Sequence, residues 1–162
     1  MYDRELRLYR FLLDYCRGLI ADIDDSKLRG GAAENMNTPQ WLLGHLAICT
    51  DYTLQLAGLA KRCPDEWHKW FGPGSKPEQV PSPGPTKAEL FAALETGHKL
   101  VDEAAPKFTE EQLAGPHQIA FLLPYMPTKA DLVSHLLTTH EATHLGQLSA
   151  WRRRMGMPSV RA

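Results

Sequence analysis

Two histidines one helical turn apart, His140 and His144, lie in the run SHLLTTHEATHLGQLSAWRRR of this 162-residue chain. Four residues make one turn of an α-helix, so both imidazoles leave the same face with Cβ atoms about 5–6 Å apart. That spacing lets both hold one metal ion. A third histidine, His45, stands far upstream in TPQWLLGHLAICTDY, again among apolar residues at helical intervals. Neutral imidazole is a good ligand for zinc, nickel, copper or iron. Three protein ligands without a fourth at ligand spacing describe an open coordination sphere, with a place for water or substrate. The segment HEATH also matches HExxH in its glutamate, which makes Glu141 a candidate base. The HExxH proteases have mixed folds, however, and no strand-like runs support one here.

On a helical wheel at 100° per residue, the two histidines fall in the apolar stripe of their helix. Val133 lies about 20° from His140, Leu136 and His144 about 40°, Gln147 and Trp151 about 20°. His135 falls off that stripe and reads as a surface residue. On the upstream helix, His45 shares a stripe with Trp41, Leu42, Tyr52 and Leu56. Leaving a buried polar group unpaired costs about 1–3 kcal/mol on mutational scales. Three such imidazoles would erode a domain whose whole stability is about 5–15 kcal/mol. A shared divalent ion satisfies all three. The competing account gives each ring its own hydrogen-bond partner in the core.

Four helices must position these groups. The first is expected from about Asp3 to Asp24, with Leu6, Tyr9, Leu13, Cys16, Ile20 and Ile23 inside, and Gly30-Gly31 breaking the chain after it. The second opens at Asn37-Thr38-Pro39, a cap followed by proline, and is expected to reach about Ala60, burying Trp41, Leu42, His45, Cys49, Tyr52, Leu56 and Leu59. Residues 61–85 are rich in proline and glycine and read as a long connection without helix. The third helix begins with a capping box, Thr86 and Glu89, and carries Leu90, Leu94, Val101 and Ala105 inward. A second irregular stretch, 106–127, holds a short helix near Thr109 to Leu113. The fourth helix runs from Thr128, with Asp131 completing a capping box, to Gly156.

The chain is thus expected to be a single all-α domain over residues 1–162, a four-helix bundle with long loops between helices 2 and 3 and between helices 3 and 4. A connection as long as 61–85 can cross a helix length of about 30 Å. Helices 2 and 3 are therefore expected to run parallel, in an up-down-down-up order. A long functional loop between antiparallel helices is the alternative.

Composition narrows the function classes. With 43% apolar and 23% charged residues and a net charge of −1, the chain lacks the basic footprint of a nucleic-acid binder. Its one basic run, Arg152 to Arg154, reads as a solvated helix end that complements the helix dipole. No apolar stretch reaches membrane-spanning length, and MYDRELRLYR is too charged for a secretory signal. Three cysteines, Cys16, Cys49 and Cys63, without CxxC spacing, point to a reducing compartment. The expected location is the cytoplasm.

Taken together, TPQWLLGHLAICTDY and HEATHLGQLSAWRRRMGMP resemble the ligand-bearing second and last helices of the DinB/YfiT-like family of metal-dependent four-helix proteins, with one histidine on the former and the pair followed by GQ on the latter. Helix order and loop placement fit along nearly the whole chain. The resemblance implies His45, His140 and His144 as ligands to a divalent ion (zinc, nickel, manganese or iron), with water completing the sphere. It also implies an up-down-down-up bundle and a homodimer. Similar proteins include transferases and isomerases that use low-molecular-weight thiols.

Two functions follow as expectations. In one, the chain is a metal-dependent enzyme, a small-thiol-dependent S-transferase or isomerase or a hydrolase, acting on a small-molecule substrate. Gln147 would then orient a ligand or water, and Trp41, Tyr52 and Trp151 would wall the pocket. In the other, it is a non-catalytic, metal-stabilised dimeric binding or stress-response module, with Trp67, Trp70 and Phe71 forming an interface or a lid. In the enzyme reading Cys49, four residues after His45, is placed to approach the metal, but it reads better as a small buried hydrophobe.

Overall fold

The computed structural model describes residues 1–30, 33 and 36–161, and its regular elements are all helical. Gly31, half of the expected chain break, lies outside the described residues. Helix α1 spans Asp3–Ile20, α2 Pro39–Leu56, α3 Asp65–Trp70, α4 Lys87–Ala104 and α5 Glu110–Leu113. The last helix is continuous but not uniform: α6, Lys129–His135, passes through a π turn, Leu136–His140, into α7, Glu141–Arg154.

Helix ends follow local chemistry. Thr38 caps α2 by accepting the Trp41 N–H, with Pro39 in the first turn. Thr86 and Glu89 form the capping box of α4, and Thr128 and Asp131 that of α6. Two expected ends move inward. α1 stops at Ile20, four residues before Asp24, and its last carbonyls are met by side chains from elsewhere. Arg152 Nη1 donates to Leu19 O at 2.7 Å, and Lys87 Nζ to Ile20 O at 3.2 Å. α2 stops at Leu56 because Gly58 turns the chain at φ +80°, with the Leu59 N–H returning to Leu54 O at 3.0 Å. Leu59 therefore leaves the stripe expected for it and is 46% exposed.

Arg152 is a further correction. It is buried, not solvated, and bridges Leu19 O, the Asp22 carboxylate and Pro158 O. Only Arg153 and Arg154 of that run are exposed. On α1, Leu12 and Leu19 are buried, and Leu13, expected inside, only partly so.

α2 is the central rod, with every residue from Pro39 to Asp51 buried. Its closest partner is α4, and their contacts advance in the same order along both helices. Gln40 donates to Pro85 O near their starts, and Gly97 meets Thr50 further along. A Cβ at Gly97 would lie 2.0 Å from Thr50 Oγ1, so glycine sets this approach. Contacts of α1 with α4 advance in opposite order, Arg10 pairing with Asp102 and Arg17 with Glu95. The main core joins Leu19, Ile23, Leu42, Ile48, Leu90 and Trp151.

The connection after α2 is more ordered than its composition suggests. It contains α3, contrary to the helix-free expectation for 61–85, and is fastened to α2 by a fully buried carboxylate. Asp51 Oδ2 accepts the Cys63 N–H at 2.8 Å and His68 Nε2–H at 3.0 Å. Among the described residues, no helix is long and apolar enough to cross a membrane.

Candidate metal centre

α2 and the last helix face each other in opposite directions, and each contributes one turn of donors. From α2 come His45 and, four residues on, Cys49. From the last helix come His140 and His144. His45 Nε2 lies 3.2 Å from His140 Nε2, which lies 3.3 Å from His144 Nε2. The structure thus brings together the three histidines singled out from sequence.

These separations test whether a metal fits. Tetrahedral ligands at about 2.0–2.1 Å from zinc are about 3.3–3.4 Å apart, close to the spacing of His140 Nε2 from each of the other two rings. The direction of the lone pairs agrees. His45 Nδ1–H donates to Phe71 O at 2.6 Å, and His144 Nδ1–H to Gln147 Oε1 at 3.2 Å. Each bond places the proton on Nδ1 and leaves Nε2 bare toward the common centre. Gln147 is itself held by Asn37 Nδ2, 3.2 Å from the same oxygen. His140 Nδ1 is buried and has no hydrogen-bond partner among the described residues. The donor set suits a divalent transition ion.

Electrostatics favour neutral, ligand-ready rings. Burial, reinforced by His144, holds His45 down at about 4. Burial, with His144, His45 and His135 adding, brings His140 to about 2. Burial lowers His144 as well.

The supporting residues are more numerous than the sequence disclosed. Trp41 stacks on His45 at 4.6 Å with an interplanar angle of 10°, and its Nε1–H donates to Ser75 Oγ at 2.9 Å. Phe71, expected on an interface or lid, is fully buried beneath α2 and supplies the carbonyl that orients His45. Gly44 makes room for it: a Cβ there would meet the Phe71 ring at 2.5 Å. Asp51 and His68, which pin α3, therefore act on His45 through Phe71.

The π turn explains a second difference. It adds a residue per turn, so residues five apart lie over one another. His135, expected on the surface, is half-buried with its ring 5.5 Å from that of His140. The wheel at 100° per residue does not hold across this turn.

Other candidates fall elsewhere. Glu141 points away from the triad into the core, where Oε1 meets His98 Nε2 at 3.1 Å and His98 stacks on Tyr9 at 3.6 Å. Burial raises the Glu141 pKa against the opposing effect of His98. Trp151 belongs to the main core and donates to Gly30 O at 2.9 Å, so it is not a wall of the site. Tyr52 is half-buried and packs against Cys49, Leu132 and Leu136.

Cys49, set aside as a hydrophobe, adjoins the cluster. Its Sγ is 3.7 Å from His45 Nε2, and the donor atoms of His45, Cys49 and His140 all lie within 4.8 Å of one another. His144 joins this group through His140. Burial, with the Glu141 and Asp51 carboxylates adding, pushes the thiol pKa well up. A signal was present in the sequence: Cys49 follows His45 at the same four-residue interval that separates His140 from His144. A cavity of about 430 Å³ lined by Tyr52, Leu56, Ile119, Leu132 and Lys129 has none of these four donors in its walls.

No curated protein and no solved structure matches this chain. A family model described as the DinB superfamily matches residues 8–148, which include all three histidines and Cys49.

Proposed function

This chain belongs to the DinB superfamily, and we propose that it is a divalent-metal-dependent enzyme acting on a small molecule, by transfer of a low-molecular-weight thiol or by hydrolysis. The observation that carries this reading is the convergence of three Nε2 atoms at 3.2 and 3.3 Å from two separate helices. When bound, a divalent ion would supply Lewis acidity, lowering the pKa of water toward about 7 and deprotonating a thiol.

The chain's own residues would hold and shape the site. His45, His140 and His144 present lone pairs, while Phe71 O and Gln147 Oε1 fix two of the three rings. Trp41 covers one face of His45. Gln147 is exposed and His144 half-buried, so solvent and ligands reach the cluster from the α7 side. Glu141 is engaged by His98 and has no part in this scheme. The proposed assembly is a homodimer.

The test is turnover by the metal-loaded chain with a thiol and a generic electrophile, alongside ester and amide hydrolysis. His140→Ala should lose both the ion and the turnover while staying folded by circular dichroism. Turnover unchanged in that variant would refute the catalytic reading. A non-catalytic role is favoured by one observation, the proximity of Cys49 to His45 and His140, because each further protein donor closes a position that water or substrate would take.

A further inference from the structure

We propose that Cys49 is a fourth ligand, so that a bound ion would be held by one thiolate and three imidazoles. This rests on the metal-centre reading above and adds to it the identity of the remaining donor.

The two helices are arranged as matched halves. His45 and Cys49 lie one turn apart on α2, opposite His140 and His144 one turn apart on the last helix. Tetrahedral geometry with zinc–sulfur near 2.3 Å and zinc–nitrogen near 2.0–2.1 Å separates sulfur from nitrogen by about 3.6 Å. The observed distance from Cys49 Sγ to His45 Nε2 is 3.7 Å, both lie within 4.8 Å of a His140 nitrogen, and His144 meets this group through His140 at 3.3 Å. His45 Nε2 is the only polar partner that the thiol has among the described residues, and its other neighbours are apolar, chiefly Leu132 and Leu136.

Charge points the same way. Three neutral imidazoles would leave a dication uncompensated in a half-buried site, and the nearby Glu141 carboxylate is already engaged by His98. A thiolate removes half of that charge, and a coordinating thiol ionises however high its free pKa. A soft sulfur donor also selects thiophilic ions such as zinc over manganese or magnesium.

Cobalt(II) substitution in the full-length chain distinguishes the possibilities. The wild type should show intense visible bands of a tetrahedral centre together with a near-ultraviolet thiolate-to-cobalt charge-transfer band. Cys49→Ser should lose the near-ultraviolet band and keep visible absorption, with Cys49→Ala as a second variant if serine disturbs folding. Visible bands without the charge-transfer band in the wild type, or a charge-transfer band that survives in both variants, would overturn the assignment of Cys49 while leaving the histidine site standing. Absence of cobalt binding altogether would overturn both.

Discussion

His45 and His144 each spend one ring nitrogen on an oxygen acceptor, and that bond decides what the other nitrogen does. For His144 the acceptor is Gln147, whose side chain is exposed and carries no core packing. Partners of this kind are typically worth about 10–100-fold in metal affinity. Gln147→Ala should therefore weaken zinc binding by about that factor, read by competition with a chromophoric chelator, with no change in thermal unfolding of the metal-free chain. Equal affinities would remove Gln147 from the site. The same rings set a pH dependence. His45 titrates near 4 and His140 near 2 in the folded chain, against about 6.5 unfolded. Below pH 6.5 the unfolded state binds protons that the folded state refuses, so the penalty is absent above that pH and grows as pH falls. The slope approaches about 1.4 kcal/mol per pH unit for each histidine. Urea midpoints of the metal-free chain should be lower at pH 5.5 than at 7.5, and identical midpoints would contradict buried, neutral rings.

At the scale of elements, the site depends on α2 being held on all sides. Gly97 lets α4 approach within a distance that a methyl group would deny. Gly97→Ala should cost about 1–3 kcal/mol by overpacking, measured by chemical denaturation, whereas an unchanged midpoint would show that α4 can move freely. Much of this scale was legible in the residues. The capping boxes at Thr86 and Thr128, the Thr38 cap and the His140/His144 pair carry strong local signals, because each depends on residues within four positions of one another. What escaped depends on distant partners or a change of helical period. Phe71 O reaches His45 across 26 positions, and Asp51 fastens α3 from the far side of α2. The π turn breaks the 100° rule that predicts His135 outside, and the charge of Arg152 does not disclose a burial set by Leu19, Asp22 and Pro158. Cys49 is the instructive case: its spacing matched, and its residue type suggested packing instead.

For the whole molecule, the donors come from two helices about 95 positions apart in sequence. An ion bound there would tie α2 to the last helix and is absent from the unfolded chain. At free zinc 100 times the dissociation constant, this linkage adds about 2.7 kcal/mol of stability. Zinc should accordingly raise the thermal midpoint of the wild type, and chelator should reverse the rise. A midpoint indifferent to both would mean that the cluster binds no ion in the folded state. The most direct measurement is the number of zinc ions bound per chain, by elemental analysis after dialysis against a defined zinc buffer, in the wild type and in His45→Ala, His140→Ala and His144→Ala. One ion per chain in the wild type and well under half an ion in each variant is the predicted result. A wild type without stoichiometric zinc, or variants that retain it in full, would contradict the shared site.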